Sequence, residues 1–256
     1  MAASKQVAVV IIGDEILEGS TVDCNAATLI TWAAAQGHRV INVQIVGDAE
    51  ELIISALRRA RSDGAEIIVT TGGVGPTIDD LTVASVGKSM GIDEQAEMPE
   101  MVDALTAWIG EEPHGVRRRT ATAPLGTKLL FPQRAQGGLG WPVFIVGDTF
   151  CLPGIPRLVE KLLALLPLGP GPRPFAKLQF FGRETQGAPA MEQVAALYPD
   201  LSFGSYPPTK EPRDRCSLTI RGDDSQRVEA AMQDLLEALA STGLKTQRSE
   251  QQGALK

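Results

Sequence analysis

Residues 66–80, "EIIVTTGGVGPTIDD", decide the fold. The first half is a short, β-branched apolar run, which is typical of a strand buried on both faces of a parallel sheet. The run ends in Gly72, Gly73 and Gly75, which permit positive φ and a close backbone approach to a ligand. Such turns receive phosphate, whereas the two aspartates that follow repel it. The question is therefore which ligand a glycine turn of this kind and two carboxylates can bind together.

The segments before this loop repeat an alternation of strand and helix. Residues 7–13, "VAVVIIG", and 39–47, "RVINVQIVG", read as two further strands of the same buried kind. Residues 23–37 and 48–64 carry helical spacing and end in glycine, and residues 77–90 also read as a helix. Alternation of this kind predicts an α/β layer structure with a largely parallel sheet.

Residue preferences suggest how the helices begin. Asp48 followed by Glu51 is a capping-box pattern, and Asp23 or Asn25 suits the start of the first helix. Thr77 is a good N-cap for the helix predicted at 77–90, whose positive dipole end would then face the glycine loop. We therefore expect an anion site at that loop.

A linker separates two predicted domains. Residues 168–175, "LGPGPRPF", are dominated by proline and glycine, which continue neither helix nor strand. We predict an α/β domain at 5–168, a linker at 169–175, a smaller α+β domain at 176–245 and a disordered tail at 246–256.

Composition narrows the class of protein. The chain has 256 residues, a net charge of −7 and a pI near 5.0, which argues against a nucleic-acid binder that relies on a basic face. Three widely spaced cysteines indicate a reducing compartment without a zinc site. There is no signal-peptide pattern and no apolar run of membrane-spanning length. We expect a cytoplasmic protein without a membrane or nucleic-acid partner.

Four carboxylates are predicted to share one edge of the sheet. Asp14 and Glu15 follow the first strand, while Asp79 and Asp80 follow the glycine loop. A hard divalent cation such as Mg²⁺ takes carboxylate and phosphate oxygens together, so it would reconcile the loop with its aspartates. Helix capping and the helix dipole offer a simpler explanation of Asp79 and Asp80, and the sequence leaves both open.

Five motifs follow one another along the chain, "GDEILEG", "DCN", "TTGGVGPTIDDLT", "RRRTATAPLGTKLL" and "LPGIP", with Asp48 between the second and the third. Together they resemble the molybdopterin-binding-like domain of the competence/damage-inducible protein A family. The same domain stands at the front of eukaryotic FAD synthases and in stand-alone FAD pyrophosphatases, and "FGSYP" at 203–207 resembles a motif of their smaller domain. The resemblance implies a three-layer α/β/α sandwich with a smaller α+β domain, assembled as a homo-oligomer, dimeric or trimeric. It also implies hydrolysis, dependent on Mg²⁺, Mn²⁺ or Co²⁺, of the pyrophosphate bond in FAD or ADP-ribose, releasing AMP.

The resemblance also assigns site residues. It implies Asp79, Asp80 and Glu15 as catalytic, and Asp14, Glu15, Asp79 and Asp80 as metal ligands. The residues implied to bind the nucleotide substrate are Gly13, Asp23, Asn25, Thr71, Gly72, Gly73, Gly75, Pro76, Thr77, Arg118, Arg119 and Gly154. Either arginine could neutralise charge on the pyrophosphate.

Two alternatives to a hydrolase stay open. The same loop could hold molybdopterin or another pterin phosphate without hydrolysing it, because a pterin phosphate is also an anion. A regulatory protein that retains only the fold is the third reading, and the retained carboxylates argue against it.

Overall fold

The computed structural model describes residues 4–133, 138, 140–166, 169, 173–208 and 215–248. The chain forms two compact units, Met1–Pro170 and Gly171–Lys256. The predicted linker lies partly outside the described residues, because 170–172 are among those not described.

The first unit alternates strands and helices as predicted. Its strands are β1 (Gln6–Ile12), β2 (Arg39–Val46), β3 (Ile67–Thr71), β4 (Gln95–Glu97), β5 (Thr122–Pro124), β6 (Lys128–Leu130), β7 (Val143–Val146) and β8 (Thr149–Leu152). Its helices are α1 (Asp14–Leu17), α2 (Asn25–Ala35), α3 (Glu50–Ser62), α4 (Thr82–Ser89), α5 (Pro99–Ile109), α6 (Val116–Arg119) and α7 (Pro156–Leu163).

Six of these strands form one mixed sheet in the order β2-β1-β3-β8-β7-β6. The first four run parallel, whereas β7 and β6 are each antiparallel to the preceding neighbour in that order. Strands β4 and β5 pair separately.

Helices cover both faces of this sheet. Alternate residues of β1 point to opposite sides, so Val10 packs in a cluster with α3, α4 and α5, while Val9 packs with α2 and α7. Every residue of β3 is buried, as a strand with two covered faces requires. The predicted three-layer α/β/α sandwich is confirmed.

Strand β8 was not predicted. It forms a hairpin with β7 through Gly147 and Asp148, and Gly147 adopts a positive φ of 57°. It also pairs in parallel with β3, so it occupies the position beside the glycine loop. Its four residues are too few for a clear period in the sequence.

Two predicted helix starts were wrong. Helix α4 begins at Thr82 rather than at Thr77, because the Asp80 side chain ties Thr77 into a turn before the helix. Helix α3 begins at Glu50 with Ala49 at its N-cap and no side-chain cap. Asp48 instead accepts a hydrogen bond from the backbone of Asp14.

The second unit has the order β9 (Phe175–Phe181), α8 (Glu184–Leu197), β10 (Ser202–Tyr206), β11 (Arg215–Arg221), α9 (Ser225–Ser241) and β12 (Thr246–Arg248). The four strands form an antiparallel sheet in the order β10-β11-β9-β12. This is the split βαβ arrangement of ferredoxin-like domains. Both helices pack on one face of the sheet through a separate apolar core.

The first three residues of the predicted disordered tail form a strand. Residues Thr246–Arg248 pair with β9, and Arg248 forms an ion pair with Glu229 of α9. The rest of that prediction, 249–256, lies outside the described residues. In the described part of the chain, no helix is both long and apolar enough to cross a bilayer.

A buried histidine makes the stability of the first unit depend on pH. His38 is 4% exposed, and its Nδ1 accepts the N–H of Lys5 at 3.2 Å. Burial is the first cause that lowers the pKa of His38 below its ordinary value, and the charge of Lys5 is the second. As pH falls through about 6.5, the unfolded chain takes up a proton before the folded one does, so stability falls.

We predict that His38→Gln reduces this loss of stability between pH 7.5 and 5.5, because the glutamine oxygen can accept the Lys5 N–H without titrating. The expected difference in the free energy of unfolding is about 1 kcal/mol at most. Urea unfolding at the two pH values measures it, with the exposed His114→Gln as the matched control. An equal pH dependence in all three proteins would contradict the assignment.

Candidate functional site

The candidate site lies at the carboxyl ends of four adjacent parallel strands, β2, β1, β3 and β8. A loop with a glycine follows each of them, and these glycines are Gly47, Gly13, Gly72 and Gly154. Ligands of open α/β sheets bind in the crevice outside this edge. The structure therefore brings the glycine loop and the predicted carboxylates to one edge of the sheet.

Gly72 sets how closely the loops after β1 and β3 approach. Its φ is +99°, and a Cβ at this position would overlap the carbonyl oxygen of Ile12. Its N–H donates to the carbonyl of Leu152 at 3.1 Å, and its own carbonyl accepts the Thr82 hydroxyl at 2.7 Å. Only glycine fits a backbone that is bonded in both directions and also touches β1.

The three residues after Gly72 present backbone donors. Within the described part of the chain, the N–H groups of Gly73, Val74 and Gly75 have no acceptor. Consecutive free N–H groups in a turn with a positive-φ residue form a concavity that binds anions, and Gly73 has a φ of +59°. The donors that could hold the predicted anion thus belong to the loop backbone and not to the helix start that the sequence suggested, because α4 begins only at Thr82.

Asp80 holds the far side of the loop after Pro76. Its Oδ2 accepts the N–H of Thr77 at 2.7 Å and the Thr77 hydroxyl at 2.5 Å, and a Cβ on Gly75 would lie 2.6 Å from the same oxygen. The Thr77 side chain is also the first cause that lowers the pKa of Asp79, followed by a backbone hydrogen bond. The Thr77 hydroxyl has only one proton to donate, and its 2.5 Å contact shows that it donates this proton to Asp80. Its effect on the pKa of Asp79 is therefore the weaker one.

Asp14 and Asp48 join the loops after β1 and β2. The N–H of Asp14 donates to Asp48 Oδ2 at 2.8 Å, and the N–H of Asp48 donates to Asp14 Oδ1 at 3.2 Å. A side chain on Gly47 would overlap the Asp14 carboxylate, while one on Gly13 would lie 2.6 Å from Glu15 Oε2. Both glycines therefore leave room for a neighbouring carboxylate.

Asp48, which the sequence placed in the family pattern and at a helix cap but not among the site residues, lies beside Asp14 in the candidate site. Burial is the first cause that raises its pKa; the N–H of Asp14 opposes the rise, and the charges of Asp14, Glu15 and Asp79 add to it. These charges place carboxylates from three loops within electrostatic reach of one another. The available signal was its position directly after a glycine at the end of β2, which matches that of Asp14 after β1.

The acidic cluster, which comprises Asp14, Glu15, Asp48, Asp79 and Asp80, has no balancing cation among the residues that the structure describes. Across those residues, none of its carboxylates forms an ion pair. An uncompensated cluster of this size is destabilising in isolation and favours a bound cation.

Asn25 anchors the loop after β8. Its Nδ2 donates to Thr71 Oγ1 at 3.0 Å and to the carbonyl of Gly154 at 2.8 Å, whereas its buried Oδ1 has no partner among the described residues. Asp23 accepts the N–H groups of Asn25 and Ala26 at 3.0 and 3.1 Å, so it caps α2. The helix start accounts for Asp23, while Asn25 joins three elements of the site.

The structure does not bring the predicted arginines to the acidic cluster. Arg118 binds both carboxylate oxygens of Glu97 at 2.6 and 2.9 Å and also Glu112 at 2.5 Å, and these bonds raise its pKa above the ordinary value. Arg119 is exposed and, in the described part of the chain, makes no ion pair. Arg118 would have to leave two glutamates before it could bind a substrate.

The carboxylates of the acidic cluster do not form a complete metal site by themselves. They fit a cation that substrate phosphate oxygens would also coordinate. In the ranges that the structure describes, no three Asp, Glu, His or Cys side chains converge on one point. Hard cations such as Mg²⁺ are often held by one or two carboxylates, with water and substrate phosphates completing the shell. The carboxylate oxygens beside the free N–H groups of 73–75 match that division of ligands.

A shallow cavity of about 250 Å³ lies elsewhere in this unit, lined by residues of 96–100, 123–124 and 126–127. It contains no predicted site residue. Its lining includes Glu97, which Arg118 already neutralises, so its chemistry offers less than the sheet edge.

Residues 8–168 match the family described as "Probable molybdopterin binding domain". The chain belongs to this family. Beyond the probable molybdopterin binding domain, residues 176–248 match "FAD synthase, middle domain". The two matches fall in different units of the structure.

Relatives carry the same domain in longer chains. A CinA-like protein of Citrifermentans bemidjiense is 37% identical over 163 residues, which are 62% of this chain and 38% of that protein. A probable FAD synthase of Caenorhabditis elegans is 28% identical over 268 residues, covering 94% of this chain and 51% of its own. This chain thus spans about half or less of these two relatives. The resemblance read from the motifs is confirmed.

A solved structure supports the same domain assignment. The protein CinA of Thermoplasma acidophilum, described as having unknown function, superposes with a TM-score of 0.56 at 28% identity. The match covers 64% of this chain and 96% of that one.

We predict that Gly72→Ala destabilises the first unit by about 3 kcal/mol or more, because the new Cβ overlaps the Ile12 carbonyl. Gly64→Ala is the matched control: its φ of +94° is similar, but nothing lies within 4 Å of the added carbon. The control should cost about 1–2 kcal/mol, from backbone strain alone. Chemical denaturation measures both, and equal losses would contradict the close approach.

We also predict that Asp48→Asn raises the free energy of unfolding at pH 7 by a few tenths of a kcal/mol. The amide oxygen can still accept the Asp14 N–H, while the cost of burying a charge and the repulsion from the neighbouring carboxylates are both removed. Because the folded pKa of Asp48 is raised, both costs exist above that pKa and disappear as pH falls below it. Thermal unfolding at pH 7 and pH 3.5 measures this gain in stability. The exposed Asp103→Asn is the control and should show no gain at either pH. A gain that persists at pH 3.5 would contradict the charge of Asp48 as its cause.

Proposed function

We propose that this protein hydrolyses the pyrophosphate bond of a nucleoside diphosphate derivative, FAD or ADP-ribose, with a divalent cation, releasing AMP. The observation that carries the proposal is the acidic cluster beside three free backbone N–H groups at the carboxyl edge of the sheet. The N–H groups would attract a phosphate, whereas the carboxylates beside them would repel it. Together they fit a phosphate that arrives with a cation.

The loop residues would bind and orient one phosphoryl group. The N–H groups of Gly73, Val74 and Gly75 would donate to its oxygens, which fixes the phosphorus relative to the acidic cluster. The backbone around Gly72 is immobilised on both sides, so these donors need no rearrangement as charge develops.

The carboxylates would hold the cation and orient the attacking water. Asp14 is fixed by its reciprocal hydrogen bonds with Asp48, and Asp79 is solvent-exposed with a lowered pKa, so it stays ionised at neutral pH. When bound, Mg²⁺, Mn²⁺ or Co²⁺ would supply Lewis-acid polarisation of phosphoryl oxygens and a more acidic water. Asp79 or Asp80 would accept the proton of the water from this edge.

The names of the relatives favour a flavin nucleotide among the possible substrates. A probable FAD synthase matches 94% of this chain, and the second unit matches the middle domain of FAD synthase. FAD and ADP-ribose share the adenosine diphosphate half, so both offer the bond that the proposed reaction would cleave.

The second candidate function is binding of a pterin phosphate without hydrolysis. The match of residues 8–168 to a probable molybdopterin binding domain favours it. The free N–H groups of the loop would serve equally well, because a pterin phosphate presents the same oxygens.

We predict AMP release from FAD or ADP-ribose that requires Mg²⁺, Mn²⁺ or Co²⁺, is abolished by EDTA and falls about 100-fold or more in Asp79→Asn. Chromatographic detection of AMP measures the rate. The matched control is Asp103→Asn, which removes the same charge from an exposed position on α5 and should retain full activity.

Activity that survives EDTA, or an Asp79→Asn variant with an unchanged rate, would overturn the hydrolase proposal. Tight binding of a pterin phosphate without AMP release from any substrate would favour the second candidate instead. Calorimetry with the folded variants separates loss of binding from loss of turnover.

A further inference from the structure

In the part of the second unit that the structure describes, both helices lie on one face of the sheet and no helix of this unit covers the other. Helices α8 and α9 pack against the face that carries Ala176, Leu178 and Phe180 of β9. The alternate positions of the four strands point the other way, as the pairing registers require. This open face consists of Phe175, Lys177, Gln179, Phe181, Ser202, Gly204, Tyr206, Arg215, Ser217, Thr219, Arg221 and Gln247.

The open face is basic, although the whole chain is acidic. Lys177, Arg215 and Arg221 are its charged residues, and no carboxylate occupies any of its positions. Among the residues that the structure describes, none of the three cations has a carboxylate partner. The acidic residues described in this unit lie on α8, α9 and the loops. This face is therefore positively charged, although the whole chain has a net charge of −7.

The "FGSYP" motif gives this face an exposed aromatic ring. A Cβ on Gly204 would lie 3.0 Å from both Cε2 and the hydroxyl oxygen of Tyr206, so the missing side chain leaves room for the ring to lie across the sheet. Tyr206 is nevertheless 55% exposed. A ring that lies against a sheet with its outer side in solvent is a stacking surface for a nucleobase.

Two arginine–phenylalanine pairs mark the ends of the face. The Arg215 guanidinium lies 4.7 Å from the ring centre of Phe181, and that of Arg221 lies 4.6 Å from the ring centre of Phe175. The two pairs are six residues apart along β9 and β11, which is about 20 Å at the usual strand rise. Lys177 lies between them on β9.

We propose that this face binds single-stranded nucleic acid. Cations spread over about 20 Å fit successive phosphates of an extended strand, while Tyr206 stacks on a base between them. A small ligand would be bound less well, since small-molecule sites are concave and bury most of the ligand surface. Four-stranded sheets bind single strands through aromatic and basic side chains on an open face, and this unit offers the same combination.

The test is fluorescence anisotropy of the full chain with labelled eight-nucleotide single strands of RNA and DNA. We expect binding at 50 mM salt that weakens about 20-fold at 200 mM, as release of counterions by three cations requires. Tyr206→Ala should weaken binding at least fivefold, whereas Tyr206→Phe, which keeps the ring, should not. Arg215→Ala and Arg221→Ala should each weaken binding and flatten the salt dependence.

Arg248→Ala is the matched control, because Arg248 lies on the same sheet but faces the helices and pairs with Glu229. It should bind as the unchanged protein does. Absence of binding at 50 mM salt, equal affinity for a duplex, or a Tyr206→Ala variant with normal affinity would overturn the proposal. Displacement of the strand by ADP-ribose or FAD, with the same sensitivity to Tyr206→Ala, would also overturn it in favour of a dinucleotide site.

Discussion

The site depends on the contact between the Gly72 backbone and the carbonyl of Ile12, where no side-chain carbon fits. This contact brings the end of β3 against the end of β1, and the bond from Gly72 to Leu152 adds the end of β8. Three loops are thereby fixed at one edge of the sheet. The free N–H groups of 73–75 and the carboxylates after β1 can share one space only because the glycine lets the backbones meet.

The acidic cluster is tolerated because backbone donors stabilise it in place of cations. Asp14 and Asp48 each accept the N–H of the other, and Asp80 accepts two donors from Thr77. These bonds hold the carboxylates in position while their mutual repulsion remains: burial is the first cause that raises the pKa of Asp48, and the neighbouring carboxylates add to the rise. Charge is thus concentrated where a ligand can use it, at some expense to the stability of the fold.

Sequence reasoning was successful where the signal was periodic or contained in one motif. The buried runs of β1 and β3 were readable from the sequence, and so was the glycine loop. It failed where tertiary contacts decide. The four residues of β8 are too few to show a period. The side chain of Asp80 imposes the turn at Thr77. Asp48 does not cap α3 and instead accepts a hydrogen bond from Asp14 in another loop. The pairing of Arg118 with Glu97, 21 residues away, has no local signature either.

The late start of α4 leaves ten residues, 72–81, outside both strand and helix. Their ends are fixed by Gly72 and by the bonds of Thr82 to the carbonyls of Gly72 and Gly73. Val74 is buried in the core and Leu81 packs against it, so only the exposed tip of this loop can be exchanged or lengthened at small cost to the fold. Ile78, which is 83% exposed in this loop, is free to vary in the same way. The framework can therefore keep the backbone geometry around Gly72 through evolution while the tip of the loop diversifies.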